Sequence, residues 1–391
     1  MREAAQTRAL LPSETIKTET ALGRITASAV HGQDAIPPFD NSSMDGYALA
    51  SARASGAVSS PVTIPVLGTI LAGDAPKCQA EAGAWRIMTG APMPAGCDSV
   101  VPVENARDVD GGRAVEISSA VHEGDFVRSR GDDFAAGAEA VPAGVMLEPK
   151  HLMALAAVGA REVEVRRRPR LALIATGREL APADKALAPG QIRDASSAFI
   201  AAECARLGWD FETHGVVADD ENQFRARLEL AADRGADIIL TTGAVSMGDA
   251  DFIPRILTDM GAEHVFHKVA IKPGRPVLFT EFRKGPWIFG LPGNPVSTVV
   301  GMRFFVRPFV RHIMGQSEEI PFRLRLAKKT AKPENLRCFF KARRTGNGQV
   351  EVLPGQASFL IHSMLASDCW AVLPEAGTEV MADQSIDIYE A

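Results

Sequence analysis

The segments LALIATG at 171–177 and DIILTTG at 237–243 decide the fold class of this 391-residue chain. Each is a run of mostly apolar residues that stops at a glycine, which is typical of a strand buried on both faces. Helix signals lie between them, so strand, helix and strand follow one another as in a βαβ unit. We therefore predict a parallel α/β sheet over residues 169–316.

The helices of this region are indicated by signals at their ends. Asp194 or Ser196 is the expected N-cap of a helix that runs through 199–207, and Gly208 ends that helix. The remaining predicted elements are a strand at 214–217 and a helix that buries Phe224 and Leu228 and stops at Gly235.

The rest of the chain follows a different pattern, in which short alternating runs are separated by glycine, proline and aspartate turns. Residues 46–136 and 317–391 show it and are predicted to be two β-rich domains. Residues 1–45 are predicted to hold a helical segment, with Pro12-Ser-Glu-Thr at 12–15 and then 21–30, followed by a proline-rich loop. Residues 137–168 are predicted to hold a helix and a strand. With the α/β region, these boundaries predict a multidomain protein that combines α/β and β architecture.

Composition and charge exclude several classes of protein. The formal net charge is −6, so a basic nucleic-acid-binding surface over the whole chain is not expected. The five cysteines are far apart and contain no CxxC pair, which argues against a disulfide framework or a zinc site. No apolar run approaches the roughly 20 residues that a membrane-spanning helix needs, and the first residues lack the apolar core of a signal peptide. We expect a cytoplasmic protein without membrane or nucleic-acid partners.

Four loops are candidates for a ligand site because they follow predicted strands of the α/β region. Ligands of open parallel sheets bind beyond the carboxyl ends of the strands. Asn294 as N-cap and Pro295 at the first helical position predict a helix whose N–H groups would suit an anion. Any one loop alone is better explained as a tight turn, and the four together favour a site. The loops are 176–179, 242–251, 272–276 and 291–297.

Basic side chains strengthen the hypothesis of an anion site. In the segment 268–272 an extended backbone would place Lys268 and Lys272 on one side, and Arg275 follows at the turn. Three cations beside glycine-rich loops are suited to phosphate groups. Solvated lysines at a strand edge remain the alternative.

Carboxylates occur in the same loops and favour phosphate chemistry. Carboxylates near phosphate-binding loops are typical of Mg²⁺ sites, although aspartate pairs before helices more often act as caps. The sequence has neither a GxGxxG after a strand nor a GxxxxGK[ST] motif, which excludes the usual dinucleotide and P-loop sites. The serine-hydrolase motif GxSxG is also absent.

The sequence resembles the molybdopterin molybdenumtransferases, the group of MoeA and the gephyrin E domain. The resemblance runs in order from about residue 20 to residue 380 and includes a weaker tail. The segments that carry it are PPFDNSSMDGYAL (37–49), AGDAP (72–76), RIMTGAPMPAGCDSVVPVE (86–104), TGREL (176–180), GQIRD (190–194), TTGAVSMGDAD (241–251), KVAIKPGRPV (268–277), GLPGNPVS (290–297) and PGQASFLIHSMLASDCWAVLP (354–374).

The resemblance implies an enzyme of molybdenum cofactor biosynthesis. Such proteins insert molybdate into adenylated molybdopterin with Mg²⁺ and release AMP, and they work as elongated homodimers whose sites draw residues from both subunits. It implies that 1–45 with 137–168 form the dimerisation domain and that 169–316 binds molybdopterin. Molybdopterin adenylyltransferase and acceptor molybdoenzymes are the further partners that it suggests.

The resemblance also assigns roles to individual residues. The implied acidic catalytic residues are Asp45, Asp133, Glu179, Asp219, Asp249 and Asp251, of which Glu179, Asp249 and Asp251 are the candidate metal ligands. The implied substrate-binding residues are Thr176, Gly177, Ser246, Lys268, Lys272, Arg275, Gly293, Asn294 and Ser297.

Four residues depart from the family pattern. Ala244 replaces a glycine, so it costs stability if that position needs a positive φ. Arg178 replaces an aspartate beside Glu179, and Ser196 replaces an asparagine. Lys341 replaces an arginine, so a bidentate contact with an oxyanion would be lost. The alternative hypothesis is therefore a catalytically weak or silent molybdopterin-binding paralogue or scaffold.

Overall fold

The computed structural model of the chain describes residues 10–75, 83–181, 185–218, 220–244 and 252–391. It divides into two compact units. The C-terminal unit comprises residues through 14, 23–27 and 165–391, and the N-terminal unit comprises 15–22 and 28–164. Within the described residues, no helix is long and apolar enough to span a membrane.

The chain up to residue 166 forms mainly short strands. Its elements are β1 (Ser13–Lys17), β2 (Val30–His31), β3 (Asn41–Ser42), β4 (Gly46–Leu49), β5 (Val62–Ile70), β6 (Ala84–Ile87), β7 (Ser99–Pro102), β8 (Ala106–Val109), β9 (Ala114–Ile117), β10 (Val127–Arg128), β11 (Glu139–Val141), α1 (Pro149–Ala157) and β12 (Glu162–Arg166), with 3-10 turns at Thr18–Thr20, Ser51–Ala54 and Val103–Asn105.

The main sheet of the N-terminal unit has six strands in the order β7-β4-β6-β5-β9-β8. Alternate residues of β4 lie on opposite faces, because Tyr47 and Leu49 join one apolar cluster and Ala48 joins another. Two small antiparallel ladders, β3 with β10 and β2 with β11, also belong to this unit, and β1 pairs with β12.

The helix predicted at 21–30 is wrong. Only a 3-10 turn at Thr18–Thr20 forms, and Gly23 then adopts a φ of +74° that an α-helix does not contain. Thr18 explains the local conformation, because its N–H donates to Arg161 O at 3.0 Å and its hydroxyl to Ala160 O at 2.6 Å. These bonds join residues that are more than 140 positions apart in the sequence, so no local pattern predicts them.

Residues 169–316 alternate strands and helices. The elements are β13 (Arg170–Thr176), β14 (Leu180–Ala181), β15 (Ile192–Arg193), α2 (Ala195–Leu207), β16 (Asp210–Val217), α3 (Glu221–Asp233), β17 (Ile238–Thr242), α4 (Ile253–Asp259), β18 (Glu263–His267), β19 (Ile271–Lys272), β20 (Leu278–Glu281), β21 (Trp287–Leu291), α5 (Pro295–Gly301), a π-helical turn (Met302–Val306) and α6 (Arg307–Ile313).

The sheet of this region has the order β16-β13-β17-β21-β20-β18. The pairs among β16, β13, β17 and β21 are parallel, and β20 and β18 are antiparallel. Both faces are buried, because Leu171 and Leu173 of β13 pack in one core and Ala172 and Ile174 in another. The predicted combination of a parallel α/β sheet with β-rich parts is confirmed.

The predicted ends of the two helices are confirmed as well. Asp194 caps α2 by accepting from Ser197 N at 2.9 Å, and Gly208 ends it with a φ of +68°. Asp220 caps α3 in the same way, accepting from Gln223 N at 3.0 Å.

Residues 317–391 form a small closed barrel. Its elements are β22 (Phe322–Leu326), β23 (Thr330–Ala331), β24 (Arg337–Arg344), β25 (Gln349–Val352), α7 (His362–Leu365), β26 (Cys369–Leu373), β27 (Glu379–Val380) and β28 (Ser385–Glu390). The order β24-β25-β22-β28-β26 closes through pairing of β26 with β24. β19, from the basic segment, joins β24 in parallel.

Candidate functional site

The carboxyl ends of four strands lie at one edge of the α/β sheet. Thr176 is in register with Val217, and Thr242 is in register with Leu291. Hydrogen bonds fix the loops that follow: the Thr176 hydroxyl donates to Thr242 O at 2.8 Å, and Gly243 N donates to Leu291 O at 3.1 Å. The loops that begin at 176, 243 and 292 therefore start beside one another, as the sequence predicts.

Glycines leave this edge without side chains. A Cβ on Gly243, whose φ is +83°, would lie 2.6 Å from Thr176 O, a distance that real Cβ atoms do not show. Gly293 lies against it, since a Cβ there would be 3.6 Å from Gly243 Cα. The two glycines therefore allow the loops after β13, β17 and β21 to pack closely against one another. Gly293 is also exposed, so a ligand can reach its main chain.

Helix α5 begins beside these glycines, with Pro295 at its first position as predicted. Asn294 is exposed, and its side chain makes no capping bond within the part of the chain that the structure describes. The N–H of Val296 is already bonded to Ser358 O at 3.0 Å. The helix start is confirmed, but one of the N–H groups expected to face an anion is used within the protein. Ser297 lies in the same turn and is 3% exposed.

The basic segment 268–275 lies against the first turn of α5. A Cβ on Gly274 would be 3.6 Å from Ser297 O, which places the KPGRP turn beside LPGNPVS. Lys272 and Arg275 are exposed, Lys268 is half-buried, and none of the three forms an ion pair with a residue that the structure describes. Cations that form no ion pair with a described residue, next to a glycine edge, are suited to an anionic ligand.

The predicted alternation of this segment is wrong. β18 ends at His267, and Lys268 has a φ of +66°, so the backbone is not extended through it. The chain turns here because Val269 N donates to Arg275 O at 2.9 Å, and β19 then pairs with β24 of the barrel. Tertiary pairing, and not strand alternation, arranges the three cations.

Asp45 lies in the N-terminal unit, at the end of the proline-rich loop. Its carboxylate accepts from Thr89 N at 2.7 Å and from the Thr89 hydroxyl at 2.8 Å. These bonds lower the pKa of Asp45, the backbone N–H having the larger effect. An exposed carboxylate held in one orientation and ionised is suited to catalysis. Thr89, which sequence reasoning missed, lies in the quoted segment RIMTGAPMPAG.

The other predicted carboxylates are distributed as follows. Asp133 is exposed in the N-terminal unit, and Glu179 is exposed in the C-terminal unit. The Glu179 carboxylate lies over the sheet edge, since a Cβ on Gly177 would meet its oxygens at 2.6 and 2.7 Å. No group of three or more potential ligands for a metal ion occurs among the residues that the structure describes. The predicted residues Asp219, Ser246, Asp249 and Asp251 lie outside the described residues.

Comparison with known proteins agrees with this geometry. Three family profiles match in chain order: the MoeA N-terminal region (domain I and II) at 1–159, a probable molybdopterin binding domain at 172–312 and the MoeA C-terminal region (domain IV) at 323–390. A molybdopterin molybdenumtransferase of Synechococcus elongatus is 40% identical over 352 residues, which cover 89% of this chain and 86% of that protein. The chain belongs to the molybdopterin molybdenumtransferase family.

Further molybdenumtransferases extend the match to nearly the whole chain. One from Haemophilus influenzae is 31% identical over 96% of this chain and 93% of its own length. A crystal structure of a molybdopterin biosynthesis MoeA protein from Pyrococcus horikoshii superposes with a TM-score of 0.86 at 25% identity, covering 100% of this chain and 99% of that one.

Two of the departures from the molybdenumtransferase pattern lie in segments next to the ligand edge. Ala244 has a φ of +50°, the positive value at which an alanine costs stability relative to the glycine of the family pattern. Ser196 is buried, and its hydroxyl lies 3.2 Å from the Thr298 hydroxyl of α5. Ser196 therefore contacts α5, the helix that begins within LPGNPVS, and does not face the ligand edge.

Lys341 lies inside the barrel, and its ammonium bonds to protein carbonyl groups. Its side chain is fully buried, and the ammonium donates to Gly355 O at 2.7 Å and to Leu360 O at 3.0 Å. Burial lowers its pKa. The interpretation that residue 341 bears on binding of an oxyanion is wrong for this chain, because the side chain holds the loop 354–361 instead.

Proposed function

We propose that this molybdenumtransferase inserts molybdate into adenylated molybdopterin and releases AMP. The observation that supports it best is the contact of the basic segment 268–275 with the first turn of α5, beside Gly243 and Gly293. This edge offers cations without ion pairs to described residues, together with backbone that a ligand can approach. Both substrates are anionic, so their binding needs such a surface.

Each basic residue has a distinct part in this proposal. Lys272 and Arg275 are exposed and bind oxygens of molybdate or phosphate, and Arg275 can hold two oxygens at once. Lys268 is half-buried, so water weakens its field less. Cleavage of the phosphoanhydride puts negative charge on the departing AMP, and cations fixed beforehand stabilise that charge.

The acidic residues have separate parts in this proposal. In the N-terminal unit, Thr89 keeps Asp45 ionised and oriented. In the C-terminal unit, Thr176 and Gly177 shape the strand end over which Glu179 lies. We expect Glu179, with Asp249 and Asp251, to hold Mg²⁺. Carboxylate oxygens, such as those of Glu179 at the sheet edge, are the ligands that Mg²⁺ prefers. When bound, the ion would supply charge neutralisation for the phosphate oxygens.

We further propose a homodimer that works in the cytoplasm, in which 1–45 with 137–168 form the dimerisation domain. The described cysteines Cys97, Cys204, Cys338 and Cys369 are free thiols, which suits a reducing compartment. The adenylyltransferase that makes the substrate and the molybdoenzymes that accept the product are the proposed partners. Light scattering on the purified chain gives the mass, and a monomer would contradict the dimer.

Turnover tests the function directly. Purified protein is mixed with adenylated molybdopterin, molybdate and Mg²⁺, and AMP and finished cofactor are measured. We expect Lys272→Gln to raise the KM for molybdate about tenfold, since one charge-assisted contact contributes about 1.5–3 kcal/mol. Lys328→Gln, which changes an exposed lysine paired with Glu351 in the barrel, is the matched control.

The second candidate function is a molybdopterin-binding protein without turnover, which the strained Ala244 favours. Tight binding of molybdopterin without AMP release above a no-protein control would select it. The same result would contradict the proposed reaction, whereas turnover by the wild type removes this candidate.

A further inference from the structure

Left-handed backbone outside glycine occurs at only a few positions of the described chain. Three belong to Asp or Asn, which tolerate it: Asp110, Asn335 and Asp383. The other three belong to residues that do not, namely Phe126, Ala244 and Lys268. Ala244 and Lys268 both lie in loops of the proposed site. Backbone strain of this kind concentrates at functional sites, which draws attention to Phe126.

The conformation of Phe126 is fixed by the loop that carries Asp45. Phe126 has a φ of +56°, and its carbonyl oxygen accepts from Ser43 N at 2.9 Å and from the Ser43 hydroxyl at 3.0 Å. The ladder of β10 with β3 starts directly after it, with Val127 in register with Ser42. Two bonds and a strand ladder therefore hold a bulky residue in a backbone region that disfavours it.

The ring of Phe126 gains little from packing in return. The residue is 45% exposed, and Met44, which precedes Asp45, is 36% exposed. The N-terminal unit therefore presents an exposed ring on the residue whose own carbonyl oxygen bonds Ser43. Ser43 lies two residues before the oriented carboxylate of Asp45. Arg128 and Arg130, both exposed, follow within four residues.

We propose that Phe126 is a specificity residue whose ring stacks on a flat nitrogen heterocycle of the substrate. The inference rests on the proposed function, because adenylated molybdopterin presents two such ring systems, the pterin and the adenine. An aromatic ring recognises either one through its face, and the neighbouring arginines suit the phosphates that both carry. The strained backbone of Phe126 is retained because its ring binds the ligand, and not because the ring stabilises the fold.

Three substitutions separate the ring from the strain. Phe126→Asn accepts the left-handed backbone and removes the ring, so we expect it to raise the Tm by about 2–4 °C. Phe126→Leu keeps the strain and the apolar character but removes the aromatic face. Phe126→Trp keeps an aromatic face. Phe322→Asn, at an exposed phenylalanine of the barrel strand β22, is the control.

Binding of two probes to the full-length variants gives the readout. Titration with AMP reports the adenine, and anaerobic titration with molybdopterin that lacks the adenylate reports the pterin. We expect Phe126→Asn and Phe126→Leu to weaken one of the two by about tenfold or more, with Phe126→Trp within about threefold of the wild type. The probe whose affinity falls identifies the ring system that Phe126 contacts.

A rise in Tm for Phe126→Asn with both affinities unchanged would overturn the proposal, since the ring would then serve no ligand. Equal losses for Phe322→Asn would overturn it too. These outcomes are independent of turnover: a wild type that binds a probe through Phe126 but releases no AMP contradicts the proposed reaction and leaves this inference standing.

Discussion

The buried ammonium of Lys341 donates to the carbonyl oxygen of Gly355 at 2.7 Å. A second bond goes to Leu360 O, and Gln356 brackets the Lys341 backbone by donating to its O and receiving from its N. Ser358 lies in the loop between Gly355 and Leu360. Its carbonyl oxygen accepts from Val296 N in the first turn of α5. A side chain in the barrel thus supports the helix start that borders the ligand edge.

Removing the ammonium should release this loop. We expect Lys341→Met to lower the free energy of unfolding by about 1–3 kcal/mol, because carbonyl oxygens lose their donor in a buried position. Hydrogen exchange of the Val296 amide should accelerate more than that of other α5 amides. Denaturant unfolding and exchange by mass spectrometry measure both. Lys329→Met, at an exposed lysine paired with Glu379, should change neither. Unaltered exchange at Val296 would show that the loop is held by other contacts.

Lys341 should also leave a signature in the pH dependence of stability. Burial lowers the pKa of Lys341 in the folded state, so just below about pH 10.4, the ordinary lysine value, the unfolded chain binds more protons than the folded one. Stability of the wild type should therefore rise with pH in that window relative to Lys341→Met. A neutral amine still donates two hydrogen bonds, so the loop stays in place. Parallel curves for the two proteins between pH 8 and roughly pH 10.4 would refute the linkage.

Neighbouring substitutions in the β17 loop should act in opposite directions. Ala244→Gly relieves a φ of +50° and should stabilise the protein by up to about 1 kcal/mol. Gly243→Ala places a Cβ 2.6 Å from Thr176 O and should destabilise it by about 3 kcal/mol. Thermal unfolding compares the two. If both changes destabilise equally, the left-handed conformation of Ala244 is not a source of strain.

The ionisation of Asp45 should depend on Thr89. Thr89→Val removes the hydroxyl donor and keeps the N–H, so the pKa of Asp45 should rise while staying below its ordinary value. A lowered carboxyl pKa stabilises the fold above about pH 4 and ceases to do so as the pH falls through the folded pKa. Because the proposed role of Asp45 needs an ionised carboxylate, the pH below which activity is lost should move to a higher value. Carboxyl chemical shifts give the pKa, with Thr63→Val, at an exposed threonine of β5, as the control.

Local signals determined much of this protein from sequence alone. The buried strands β13 and β17, the caps Asp194 and Gly208, and the start of α5 at Pro295 are all where the sequence predicts them. Each depends on neighbours within a few residues: an apolar run, a side chain that bonds the first turn, a ring that fixes φ. The loop motifs were sufficient to identify the family for the same reason, because the residues of each motif are contiguous in the sequence.

Tertiary structure decided what depends on distant contacts. Thr18 bonds to Ala160 and Arg161 and replaces a predicted helix, and β24 draws β19 out of a predicted alternating strand. Lys341 lies inside a barrel that closes only when β24 meets β26. A sequence pattern reports preferences of a few consecutive residues, whereas burial and pairing depend on which distant segments meet. The residue types of the loops could therefore be read from the sequence. The arrangement of the cations, and of the segments that hold the loops, depended on the tertiary structure.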